Sequence, residues 1–205
     1  MSRAATAQRR EDNEIEFSRI VAFSDGVFAI AITLLVLNLG VPDHIREGEL
    51  GQAIWDQRQT FIAYALSFAV IGRFWVVHHR FFADVIGFDS RLIALNLFYL
   101  GWIVLIPFSS EVLGAHGGET ASIVLYAVNL AGVTLVGALM FTDARRSGLA
   151  ETDPAVDRQN RQRALVTIAV FLASIPVAFI DPEIVAYLWL ALFINPIGRL
   201  NRRRA

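Results

Sequence analysis

The sequence predicts an all-α membrane protein with six transmembrane helices and both termini on the cytoplasmic side. Three observations carry that prediction. The 205-residue chain is 55% hydrophobic with a mean hydropathy of +0.51, more apolar than a soluble domain of this size needs to fill its core, so the excess must face lipid. The apolar residues fall in runs of about 20, the number that a helix rising about 1.5 Å per residue needs to cross a hydrocarbon core of about 30 Å. Charged residues break these runs, and arginines gather on alternate breaks.

The predicted spans, in order, are 18–39, 60–80, 91–113, 120–142, 163–180 and 183–198. The first follows a polar, charged stretch and lacks a small-residue cleavage site after a short apolar core, so it is expected to stay as a helix and not to leave as a signal peptide. The loop between the first two spans, 40–59, sets Ile45, Leu50, Ile54 and Trp55 among Asp43, Glu47, Glu49 and Asp56. That mixture fits a short interfacial helix or an ordinary loop. The second span ends in Arg73-Phe-Trp75-Val-Val-His78-His79-Arg80, the third runs from Asn96-Leu97 to Pro107-Phe108, and the sixth is short and closed by Asn195-Pro196. Asn38, Asn96, Asn129, Thr134, Ser174 and Asn195 are scattered through the spans and read as groups that hydrogen-bond between helices. With no repeat, low-complexity tract or long linker, the chain divides into one membrane domain, 18–198, between polar cytoplasmic tails at 1–17 and 199–205.

All 18 basic residues are arginine. With the N-terminus inside, fifteen of them fall on the cytoplasmic side: Arg3, Arg9, Arg10, Arg19, Arg80, Arg91, Arg145, Arg146, Arg158, Arg161, Arg163, Arg199 and Arg202 to Arg204. Arg46 and Arg58 fall outside, and Arg73 lies within the second span. This bias sets the orientation and requires an even number of spans.

The composition also excludes functions. Without cysteine there is no thiolate metal site, disulfide or cysteine nucleophile, and a net charge of −1 argues against nucleic acid as a partner. No phosphate-binding glycine loop, HExxH, GxSxG or Ser/Lys dyad occurs, so no enzyme activity and no cofactor are expected.

What remains is a set of polar residues inside apolar spans. Segment one begins Arg19-Ile-Val-Ala-Phe23-Ser24-Asp25-Gly26. An intramembrane carboxylate costs about 2.5–3.5 kcal/mol on insertion scales, so Asp25 needs a partner. Six residues of α-helix turn Arg19 and Asp25 about 240° apart, so that partner has to come from another helix. Arg73 and His78 of the second span bracket the depth of Asp25, and either is within reach of it. A clamp between helices one and two is the simplest reading. A proton-sensitive or gating network through histidine is the sharper one, and a metal site from His78, His79 and Asp25 is opposed by the divergence of adjacent histidines by about 100°. On the face that carries Arg19, a stripe runs through positions 23, 26, 30, 33/34 and 37, which above Gly26 is Ile30, Thr33, Leu34 and Leu37. Periodicity alone does not decide between packing, lipid contact and a pore lining.

The string Arg19-x-x-x-Phe23-Ser24-Asp25 resembles the signature of the endosomal and lysosomal potassium channel family, transmembrane protein 175, in its bacterial single-repeat branch. Phe74-Trp75-x-x-His78-His79-x-x-Phe82 is similar to the family's second motif, and Asn96-Leu97 through Pro107-Phe108 to its third span, so the resemblance covers most of 15–113. The chain lacks the glycine-rich filter of the common potassium channels. The resemblance implies a homotetramer in the cell membrane, with helix one of each copy lining a central pore for potassium. It implies that Ile30, Leu34 and Leu37 form hydrophobic constriction layers and that the Thr33 hydroxyl assists selectivity. Arg19, Phe23, Ser24, Asp25, Arg73, Trp75, His78 and His79 would form a structural or gating network. Lipid and permeant cations are the other expected partners. Competing readings are a proton-coupled cation transporter using Asp25 and His78, and a non-conducting scaffold.

Overall fold

The computed structural model describes residues 3–40, 46, 48–151, 153–181, 185 and 189. Among these the secondary structure is helical apart from one isolated bridge between Val85 and Ala150. Seven α-helices follow in order: α1 (Arg3–Leu34), α2 (Leu50–Asp56), α3 (Arg58–Ala83), α4 (Ser90–Val104), α5 (Ile106–Ala115), α6 (Thr120–Arg146) and α7 (Pro154–Ala178). Among the described residues, five stretches are long and apolar enough to cross a membrane: Glu14–Asn38, Arg58–Ala83, Ser90–Ala115, Thr120–Arg146 and Ala155–Ala178. The sixth predicted span falls largely outside the described residues, as do Asp43, Ile45, Glu47, Asn195 and the arginines of 199–205. Of that span Val185 and Trp189 are described, helical and buried, with Trp189 packed on Tyr126 and Phe171.

Two differences from the sequence reading have local causes. Helix α1 starts at Arg3, well before the predicted start of the span at 18, because residues 3–17 are rich in Ala, Gln, Arg and Glu, which favour helix wherever water solvates their heads. The predicted third span, 91–113, is two helices. Pro107 carries no N–H and its ring crowds the carbonyl four residues earlier, so α4 ends at Val104 and α5 restarts at Ile106 with proline in its first turn. The 40–59 loop holds the short helix α2, with Leu50, Ile54 and Trp55 exposed.

At one end of the bundle the chain ties itself together. The Val85–Ala150 bridge joins the α3–α4 and α6–α7 loops, and its two hydrogen bonds run from Ile86 N to Leu149 O at 2.9 Å and from Glu151 N to Asp84 O at 3.0 Å. Arg91 pairs with Asp143 at 3.0 Å, and Arg145 of α6 pairs with Asp157 of α7. Asp89 and Asp153 cap α4 and α7 by accepting from Leu92 N and Ala155 N. Phe17 of α1 lies on Phe82 and Phe88 at this same end, with ring centroids 6.0 and 6.2 Å apart. The spans therefore alternate in direction, and Arg19, Arg80, Arg91, Arg145, Arg146 and Arg158 share the end that the bridge closes.

The core lies between α3, α4, α5 and α6. Helix α6 approaches α4 so closely that a Cβ on Gly132 would fall 2.6 Å from the Trp102 ring, and one on Gly137 would fall 3.1 Å from Tyr99. Here glycine is needed for proximity. A buried hydroxyl cluster holds the far half. Ser110 Oγ donates to Ala63 O and Ser67 Oγ donates to Ser110 at 2.8 Å, which leaves the Tyr126 hydroxyl to donate to Ser67 at 2.9 Å.

Candidate functional site

Helix α1 lies on the flank of this core, against α3, α4 and α5. Its inner face is Ser24, Phe28, Ala31 and Leu35, each no more than 3% exposed. Those residues are spaced 4, 3 and 4, the repeat that keeps side chains on one helical face. The stripe predicted from the same periodicity lies on the outer face: Phe23 is 55% exposed, Ile30 59%, Leu34 40% and Leu37 74%, with Arg19, Gly26 and Thr33 also exposed. The last turn, Leu35–Asn38, winds as a 3-10 helix, in which side chains three apart eclipse, so Leu37 stays aligned over Leu34. Asn38 Nδ2 donates to Pro107 O at 3.2 Å and anchors that turn at the α4–α5 break. Thr33 Oγ1 donates to Ile30 O at 2.9 Å, so its proton is used within the helix and its lone pairs point outward.

The polar network beneath the stripe is built on Asn96 of α4. Ser24 Oγ donates to Ile20 O at 2.9 Å and accepts from Asn96 Nδ2 at 2.9 Å. With the amide nitrogen so used, Asn96 Oδ1 faces His78 Nε2 at 2.9 Å, which makes that nitrogen the donor. Ser24, Asn96 and His78 are each no more than 1% exposed, and the imidazole is enclosed by Phe28, Phe82 and Tyr99, with centroids 4.6–5.5 Å away. Three helices meet in one buried chain of bonds.

Asp25 is handled separately. Its expected partner, Arg73 or His78, is neither: Trp75 Nε1 donates to Asp25 Oδ1 at 2.9 Å. The helix explains the correction. Arg73 lies two residues from Trp75, about 200° around α3, so it cannot face α1 when Trp75 does, and His78 is turned to α4 by Asn96. His79, exposed, stacks on Trp75 at 5.5 Å, on a different side of α3 from His78. Arg19 makes no ion pair or hydrogen bond among the described residues, so within one protomer it does not fasten α1 to α3. Asp25 and His78, the pair a transporter reading needs, are not bonded to one another. Asn96, the hub, was legible only as one of several scattered intramembrane amides; nothing in its own helix marks it as the residue that reaches both α1 and α3.

The sequence profile of the endosomal/lysosomal potassium channel TMEM175 family matches residues 19–107, the stretch that contains α1 from Arg19 onward and its partners on α3 and α4. A potassium channel of Streptomyces collinus is 36% identical over 146 residues, covering 69% of this chain and 70% of that one. A potassium channel of a Chryseobacterium species is 29% identical over 192 residues, covering 90% and 95%. Among solved structures, a lysosomal potassium-selective channel TMEM175 homologue from Chamaesiphon minutus superposes with a TM-score of 0.75 at 28% identity, over 87% of this chain and 95% of that one.

Proposed function

This chain belongs to the endosomal/lysosomal potassium channel TMEM175 family, and on that premise we propose that it is a subunit of a potassium-permeable channel in the cell membrane, in which α1 of four copies lines a central pore. The observation that carries the pore assignment is the asymmetry of α1. One face is sealed into the protomer, while Phe23, Ile30, Leu34 and Leu37 on the other are 40–74% exposed and Thr33 turns its lone pairs outward. Four such stripes around an axis give stacked apolar rings at Ile30, Leu34 and Leu37. A ring of this kind favours potassium because the larger ion surrenders hydration water at lower cost than sodium, and dewetting of the same ring closes the path.

The Ser24–Asn96–His78 chain and the Trp75–Asp25 bond hold the arginine-rich end of α1 in register with α3 and α4. Their role in this reading is to keep the stripe aimed at the axis. Arg19, exposed at the foot of the stripe, would meet a neighbouring copy or the pore mouth.

The test is purified protein in planar bilayers, with reversal potentials measured across potassium/sodium gradients. Discrete unitary currents that reverse near the potassium equilibrium potential are expected. Flux at carrier turnover without unitary steps would assign a transporter, and no flux at all a scaffold; either outcome overturns the channel reading.

A further inference from the structure

A groove opens on the side of α6 that faces away from the core. It measures about 620 Å³ and is lined by Thr120, Ala121, Val124, Leu125 and Val128 of α6 and by Phe179, the residue after α7. Its walls are apolar apart from the Thr120 hydroxyl, which donates to Ala178 O at 3.1 Å and so ties the start of α6 to the end of α7. On the opposite side of α6, Ile123, Tyr126, Ala127 and Leu130 are no more than 1% exposed, whereas Leu125 is 36%, Val128 43% and Phe179 73% exposed. The groove therefore lies on a surface that the protomer leaves open.

Its depth follows from the length of the helix. The 27 residues of α6 span about 40 Å and, centred on a hydrocarbon core of about 30 Å, exceed it by about 5 Å at each end. Glu119 and Thr120, at the start of α6, stand at the level of the headgroups. Val124 and Val128 lie about 6 and about 12 Å further along, among the upper methylenes of one leaflet. A long chain of methylenes lying in such a slot gains dispersion contacts along both walls.

A lipid chain and a second copy of the protein compete for such a groove. Helix α1 packs against α3, α4 and α5, and α6 against α4, α5 and α7, so α6 lies across the core from α1. In the four-copy arrangement proposed above the copies meet on the α1 side and the groove turns to the bilayer; the choice of a lipid rests on that reading. The rim of the groove selects the headgroup. Glu119 is exposed, and its Oε1 lies 3.3 Å from His116 Nδ1, which leaves Oε2 for a further donor. Asp181 follows Phe179 by two residues, and the arginines of α6, Arg145 and Arg146, are in its last turn, at the far end. A carboxylate beside an apolar slot suits an ammonium that donates hydrogen bonds and repels a net-negative headgroup.

We propose that the groove between α6 and Phe179 seats an acyl chain of an amine-headed phospholipid, of the phosphatidylethanolamine class, with its ammonium on Glu119.

The test is native mass spectrometry of the full chain in detergent, titrated with phosphatidylethanolamine and with phosphatidylglycerol of identical acyl chains. Wild-type protein should retain the ethanolamine lipid about fivefold better, the upper worth of one exposed ion pair, and E119Q should remove that preference. V124W and A121F fill the groove and should each cut retention of the ethanolamine lipid about tenfold, the equivalent of about two methylenes displaced, while L139W, on the exposed surface nearer the other end of α6, should not. Retention by V124W and A121F equal to that of wild type overturns the groove, and equal retention of the two lipids by wild type overturns the headgroup. Loss of the tetramer in V124W with lipid retention unchanged makes a second copy the occupant and overturns the lipid. Should neither groove variant fold, wild type decides with an ethanolamine lipid that carries a photoreactive diazirine on its chain: crosslinks within 121–128 support the groove, and crosslinks confined elsewhere overturn it. Currents play no part in these measurements, so failure of the site and failure of the channel reading are seen separately.

Discussion

The bonds that Asn96 and Asp25 make to hold α1 differ in what their loss costs. Asn96→Ala removes an amide that serves both Ser24 and His78, leaving the buried His78 Nε2 without its acceptor among aromatic rings and Ser24 with only its bond to Ile20 O. That change should lower unfolding stability in detergent by about 1–3 kcal/mol, read as a drop in thermal midpoint. Asp25→Asn keeps an oxygen that can accept from Trp75 and exchanges a charge-assisted bond for a neutral one, so it should cost about 1 kcal/mol or less. Asp25→Asn therefore ought to be the milder of the two, and a melting experiment in which Asp25→Asn is the more damaging would reject the assignment of Asn96 as the hub. Neither change should alter ion selectivity, since neither residue lies on the exposed stripe.

At the scale of the element, α1 has an exposed face and a packing face, and substitution tells them apart. Ile30→Asn places amides on the outer stripe, where they can replace the water that a passing cation gives up. Conductance should rise and potassium/sodium selectivity fall, with smaller effects from Leu34→Asn and Leu37→Asn. Phe28, 3% exposed and packed on His78 and Tyr99, belongs to the other face, and Phe28→Asn should mainly reduce the yield of folded protein. Currents altered by Phe28→Asn and left unchanged by Ile30→Asn would mean that the wrong face lines the pore. The α4–α6 contact makes a separate prediction. Gly132→Ala would drive a methyl into the Trp102 ring, a clash that should cost about 1–3 kcal/mol of stability, visible in the same melting assay.

For the whole molecule, the Val85–Ala150 bridge, the Arg91–Asp143 and Arg145–Asp157 pairs and the Phe17–Phe82 contact gather arginine-rich ends of spans at one side of the bundle. By the positive-inside rule that side is the one expected to face the cytoplasm. A reporter fused after Ala205 should be active only on the cytoplasmic side, and activity confined to the external side would overturn the orientation. Four-copy assembly is the companion expectation, and a native mass other than that of a tetramer in the conducting preparation would exclude the pore proposed for α1.

The sequence by itself determined the number and place of the described spans, because hydropathy is a sum over a local window and lipid imposes it on every residue the helix exposes. It also determined which residues of α1 share a face, since a helix's periodicity is internal to it: the predicted stripe of Phe23, Ile30, Leu34 and Leu37 is the exposed one. It did not contain the rotation of α3 about its own axis relative to α1, and for that reason depth along the helix admits Arg73 and His78 as partners of Asp25 that the packed structure does not use. Helix–helix rotation is settled by contacts between distant parts of the chain, such as Asn96 drawing His78 toward α4 and Gly132 admitting Trp102. Once those contacts form, the angle between consecutive side chains turns Trp75 to Asp25, His78 into the core and Arg73 away from α1, a choice that only the packed bundle makes.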